Sequence, residues 1–261
     1  MTSDRPNRPA PDAGSPPAAP GSTPSGGASS LRVPDGGPPP GPCPPTGSRA
    51  GAEALAVILT VTVPPFIAPA LGLFSAVFGV AAATLFLARS GQSWASLGLA
   101  RPARPWATLG QSTVLYGAVL VLVTGVLQPA LTALGLGAPD VSAFSGVEGD
   151  TASWLALLAF SWVMAAFGEE MIARGFLLDR LARLIPSARG GLVLALVLQA
   201  ALFGAAHAYQ GPAGVILTGF LGLVFAIGYL LAGRNLLVPI LAHGVTNTVS
   251  LTALYVGLGP A

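Results

Sequence analysis

Apolar stretches of membrane-spanning length recur from Glu53 almost to the C-terminus, over about 53–68, 70–88, 106–134, 152–170, 190–209, 212–232 and 236–257. About 20 helical residues cross a bilayer core, so most of these stretches are long enough to span one. Only 8% of residues are charged and 52% are hydrophobic, against roughly 25% charged in soluble domains. So few charges could not cover the surface of a soluble fold. The reading is an all-α, polytopic membrane helical bundle of about six to eight transmembrane helices, occupying residues 51–261. Pro64, Pro65 and Pro69 break the first region, which could be two spans or one bent one.

Residues 1–50 have a different composition. They are rich in Pro, Gly, Ser and Ala, and Pro38-Pro39-Pro40 and Pro44-Pro45 forbid regular helix. Nothing there buries enough apolar surface to offset chain entropy. The segment reads as a disordered N-terminal tail, without the charged-then-apolar order of a signal peptide. The single cysteine, Cys43, lies in it, so no disulfide can form within one chain. A net charge of +2 is too small to suggest a nucleic-acid partner.

Arginine placement orients the spans. Arg89, Arg101 and Arg104 lie between the second and third, Arg174, Arg180, Arg183 and Arg189 come after the fourth, and Arg234 separates the last two. The loop 136–151 has no arginine and carries Asp140, Glu148 and Asp150. With spans alternating, every arginine-bearing loop falls on one face, expected to be cytoplasmic, together with the tail. The expectation is a multi-pass protein of the cell membrane, in contact with membrane lipid, with an external C-terminus. Residues 171–186 mix arginines with leucines, so the fourth span is expected to continue as an amphipathic helix into the cytoplasm or along its surface.

Ionisable groups at membrane depth are costly and by default mark function. The chain has two histidines, His207 and His243, and one adjacent acidic pair, Glu169-Glu170, each on a different apolar stretch. On a regular helix Glu169 and Glu170 point ~100° apart. Glu170 can pair with Arg174 at i,i+4, which leaves Glu169 to face the interior. Phe203 shares a helix face with His207, and His243 shares one with Asn247. Distances along the chain from the nearest turns let all three groups meet at moderate depth from the cytoplasmic side. Pro239, one turn before His243, is expected to loosen the last helix. Each group alone has a structural explanation: a helix-end ion pair, a satisfied core histidine, an interhelical hydrogen bond. Together, on separate spans, they are poorly explained by three independent packing accidents.

Glu169-Glu170-x-x-x-Arg174, Phe203-x-x-x-His207 and His243-x-x-x-Asn247 resemble, in order, the three motifs of the CPBP intramembrane proteases. That family includes CAAX prenyl proteases, bacteriocin-processing or self-immunity proteins and lysostaphin-resistance-type proteins. The resemblance covers roughly 152–257 and no motif position departs from it. It implies an intramembrane endopeptidase acting on a peptide or membrane-protein substrate. Glu169 would activate water, aided by His207, while His243 and Asn247 would stabilise the oxyanion. Glu170, Arg174 and Phe203 would support them, with no cofactor. A zinc version stays open, since two histidines and a glutamate (His207, His243, Glu169) are a known catalytic ligand set. So does a non-catalytic immunity or interaction protein. A proton-relaying transporter would be favoured by an inverted repeat, which the sequence does not show.

Overall fold

The computed structural model describes residues 45–185 and 187–259, so the expected tail lies outside the described residues up to position 44. Among the described residues every regular element is helical. The chain runs through α1 (Gly47–Thr62), two proline-led turns (Pro64–Ile67 and Pro69–Gly72) and α2 (Ser75–Arg89). It continues through α3 (Pro105–Ala133), α4 (Thr151–Ala182), α5 (Ala188–Ala206), α6 (Gly211–Leu231) and α7 (Leu237–Tyr255). Among the described residues six candidate membrane spans result, the first being Gly47–Ile67. The expected second span is shorter than it reads, because α2 has only 15 residues once the prolines have taken the preceding ones into turns. Helix α1 starts at Gly47 rather than Glu53, so its first turn comes from the expected tail.

Helix starts obey local chemistry. The Asp150 carboxylate caps α4 by accepting from Ser153 N at 3.0 Å, and the Ser187 hydroxyl caps α5 by accepting from Gly190 N at 3.1 Å. Pro105 opens α3, where its missing N–H costs nothing. Pro239 sits in the first turn of α7 for the same reason, so the expected loosening at His243 does not occur and α7 runs unbroken to Tyr255.

The bundle has two distinct ends. At one, Leu236 N donates to Gly98 O at 3.1 Å, Tyr229 Oη donates to Leu97 O at 2.8 Å, and Gly47 N donates to Arg183 O at 3.1 Å. This end gathers the arginine-bearing turns, as the alternation of spans implies. Gly98 is obligatory here: its φ is +93°, and a Cβ would stand 1.7 Å from Arg234 O. At the other end Asp140 N donates to Gln210 O and Gly149 N donates to Tyr255 O, both at 3.0 Å.

Residues 171–186 depart from the expected surface helix. Residues 170–181 are all buried inside the bundle, not laid along a surface. Their arginines are tolerated because each finds carboxylates. Fully buried Arg180 donates to Glu53 Oε2 of α1 at 2.8 Å and to Asp179 Oδ2 at 2.6 Å, and also reaches Gln92 Oε1 at 3.0 Å. Arg183 adds two bonds to Asp179 at 2.8 and 3.0 Å. Around this network pack Leu87, Leu97, Phe176, Leu177, Tyr229 and Leu236, so the main core fills the arginine end.

Candidate active site

Helix α4 carries the glutamates and is not regular there. Ser161–Glu169 and Met171–Leu177 are π-helical, with Glu170 at the junction. The ~100° spacing of a regular helix therefore does not apply to this pair. Such i→i+5 turns are rare and concentrate at functional sites. No proline in this stretch announces them.

Glu170 is fully buried, with Oε1 committed twice and Oε2 without a partner. Its Oε1 accepts from Arg174 Nη1 at 2.8 Å, the i,i+4 pair that the sequence implies, and from His243 Nδ1 of α7 at 2.8 Å. Arg174 Nη2 donates to Gly222 O of α6 at 3.1 Å, a carbonyl that also accepts from Gln199 Nε2 of α5 at 3.0 Å. The guanidinium lies 4.4 Å from the Phe203 ring centre and 5.5 Å from that of Phe225, within cation–π range. His243 stacks on Phe225 with centres 5.2 Å apart. Glu170, Arg174 and Phe203 thus hold α4, α5, α6 and α7 in register. The motifs alone do not imply the bond between Glu170 and His243.

Glu169 is the opposite case. It is half-buried and makes no hydrogen bond among the described residues, and its Oε2 is inaccessible yet unpartnered. His207 caps the end of α5, with Nδ1 2.8 Å from Phe203 O. The Phe203 ring lies between the histidines, 5.0 Å from His207 and 6.3 Å from His243. Asn247, one turn beyond His243, donates from Nδ2 to Ser161 Oγ at 2.9 Å, while Trp162 Nε1 donates to Thr248 Oγ1 at 3.1 Å. No hydrogen bond joins Glu169 to His207, or Asn247 to either.

Carbonyls and carboxylates only accept, so Nδ1 carries a proton in both histidines and Nε2 is left for the site. That tautomer is also how zinc-ligating histidines are usually held. Among the described residues, however, no three His, Cys, Asp or Glu side chains are gathered closely enough to hold a metal ion. The zinc set of His207, His243 and Glu169 does not fit as it stands. Ser161, Gln199, Gly222 and Phe225 are absent from the motif reading. The signal that could have found Ser161 and Gln199 is that each is a polar residue inside an apolar run.

A passive bundle would not seat an unpartnered carboxylate beside a buried ion pair, because each such group costs stability and returns none. Such groups at membrane depth by default mark a functional site. Residues 151–249 match the family described as type II CAAX prenyl endopeptidase Rce1-like, the group that the three motifs resemble. No curated protein and no solved structure matches the chain.

Proposed function

We propose that this protein hydrolyses a peptide bond of a membrane-associated polypeptide using water activated by Glu169, without a metal. The observation that carries this reading is the contrast between neighbours: Glu170 Oε1 accepts from both Arg174 and His243, while Glu169 makes no hydrogen bond among the described residues, the Oε2 of each glutamate being buried without a partner. An unsatisfied buried acceptor costs about 1–3 kcal/mol, and a general base must keep one open for the proton it takes.

The water oxygen forms the new bond to the carbonyl carbon as its proton passes to Glu169. The tetrahedral carbon then expels the amine as the C–N bond breaks, and Glu169 returns the proton to the leaving nitrogen. His207 assists through Nε2, its ring fixed by the bond to Phe203 O. Asn247 supplies an amide N–H to the oxyanion, with Ser161 holding the amide in one orientation. His243 donates from Nε2 when protonated, and Glu170 offsets that charge. The arginine distribution supports a cytoplasmic N-terminus in a cell membrane.

One observation favours the zinc reading as a second possibility: both histidines hold their Nδ1 protons away from the site, leaving Nε2 lone pairs. The deciding variant for the base is Glu169→Gln. It should abolish cleavage, read by comparing membrane peptides of wild type and variant, with yield and folding intact. Near wild-type cleavage by purified Glu169→Gln would remove Glu169 from the role.

A further inference from the structure

We propose that the hairpin of α1 and α2 does not cross the bilayer but turns back inside it, so that residues 63–74 lie against lipid acyl chains rather than in water. The sequence of this turn sets it apart. From Val63 to Phe74 there is no polar side chain. The turns at the arginine-free end differ: 136–151 carries Asp140, Glu148 and Asp150, and the turn after α5 carries Tyr209 and Gln210.

Height comes from packing. A Cβ on Gly79 of α2 would stand 2.6 Å from both Val61 of α1 and Ile172 of α4, and one on Gly168 of α4 would stand 2.9 Å from Ala76. Both hairpin helices therefore end beside 168–172, level with the bond from His243 to Glu170. Beyond His243, α7 climbs ~18 Å more to Tyr255. Tyr255 stacks on Trp154 with centres 5.1 Å apart, and its carbonyl accepts from Gly149 N at 3.0 Å. An aromatic pair beside an acidic loop is what a membrane interface collects. Followed straight on through Ile67, α1 rises only ~9 Å past Val61, about half of that climb. The hairpin starts and finishes at the arginine end, where Gly47 N donates to Arg183 O and Arg89 closes α2. The orientation of the later spans is thus the same whether or not it crosses.

The surface and backbone of the turn suit that depth. Phe66 is 91% exposed and Ile67 74%, and Val63, Leu73 and Phe74 are exposed beside them. Together they form a contiguous apolar patch of the kind that marks a membrane contact. Irregular backbone facing lipid is excluded unless its polar groups are satisfied within the chain, and here the N–H groups are accounted for locally. Val63 donates to Leu59 O, Phe66 to Val63 O, Ala68 to Pro64 O, Leu71 to Ala68 O and Phe74 to Leu71 O, all at 2.9–3.1 Å. Pro64, Pro65 and Pro69 have no N–H to satisfy. The prolines thus do two things at once: they bend the chain back and remove the donors that hydrocarbon would strand.

The test uses the full chain in sealed vesicles, with Cys43→Ser as background. Phe66→Cys and, separately, Ile67→Cys report the apex, Ser145→Cys the arginine-free loop and Ala103→Cys the arginine end. A membrane-impermeant thiol reagent should label 145 from one side and 103 from the other. It should label 66 and 67 from neither until the membrane is dissolved in denaturing detergent. A bimane fluorophore attached at 66 or 67 should then be quenched in phosphatidylcholine vesicles brominated at mid-chain, more strongly than in vesicles brominated next to the headgroup. Labelling of 66 and 67 from the side of 145 overturns the proposal, because the hairpin would cross. So does protection without quenching by brominated chains, because protein rather than lipid would cover the turn. If one apex variant fails to fold, the other carries the test.

Discussion

The two adjacent glutamates should respond to the same isosteric change in opposite ways. Glu170→Gln keeps shape but removes the charge that faces Arg174 and His243, each 2.8 Å from Oε1. Arg174 has no exposed surface, so its charge would be left with a carbonyl and two aromatic rings. Breaking a buried pair by removing one partner costs about 3–5 kcal/mol. At ~2–4 °C per kcal/mol for a chain of this size, the melting temperature should fall by about 6–20 °C. Glu169→Gln removes no hydrogen bond among the described residues, so its melting temperature should stay close to wild type. Adding Arg174→Met to Glu170→Gln should recover much of the loss, because the stranded charge goes with it. The assay is thermal unfolding of the purified protein in detergent, monitored by tryptophan fluorescence. Equal destabilisation by both glutamine variants would refute the division into a committed and an uncommitted carboxylate. So would a double variant no more stable than Glu170→Gln.

Asn247→Ala should lower kcat about 10²–10³-fold with KM nearly unchanged, the loss typical of one oxyanion donor, and Asn247→Asp should be at least as poor; unchanged turnover would take α7 out of the chemistry. Activity should survive dialysis against strong chelators, whereas one zinc per chain with activity lost on removal and restored on return would shift the mechanism to His207 and His243 as ligands. Gly98→Ala should destabilise by at least the ~1–3 kcal/mol of a strained backbone, because its φ is +93° and its Cβ would meet Arg234 O, and a wild-type melting temperature would contradict that packing.

Features that depend on spacing along one helix, or on the span pattern, are legible in the sequence. The Glu170–Arg174 pair comes from four residues of separation. The gathering of arginine-bearing turns at one end comes from alternation of spans. The illegible parts depend on partners far along the chain. Arg174 and Arg180 mark 171–186 as a polar surface when read locally. Arg180 is instead buried, because Glu53 reaches it from 127 residues away. Chain distances from the turns place the site toward the arginine side, but they say nothing about what fills the space between. That space is occupied by Phe176, Leu236 and two ion-pair networks. The bond between Glu170 and His243 spans 73 residues, and the π turns of α4 have no sequence marker. Each is beyond a reading confined to helix faces.

The Glu53–Arg180 bond also bears on how the chain can be divided. All three motifs lie in the matched segment 151–249, which looks like a unit that could be moved elsewhere intact. Yet Arg180 inside that segment owes one of its carboxylate partners to α1 and another acceptor, Gln92, to the turn after α2. Cut away from the first two helices, the segment would keep its reactive groups and Asp179 but lose the Glu53 counter-charge and the Gln92 acceptor of Arg180. The N-terminal hairpin, which carries no motif, is therefore part of the smallest piece able to hold the site in shape.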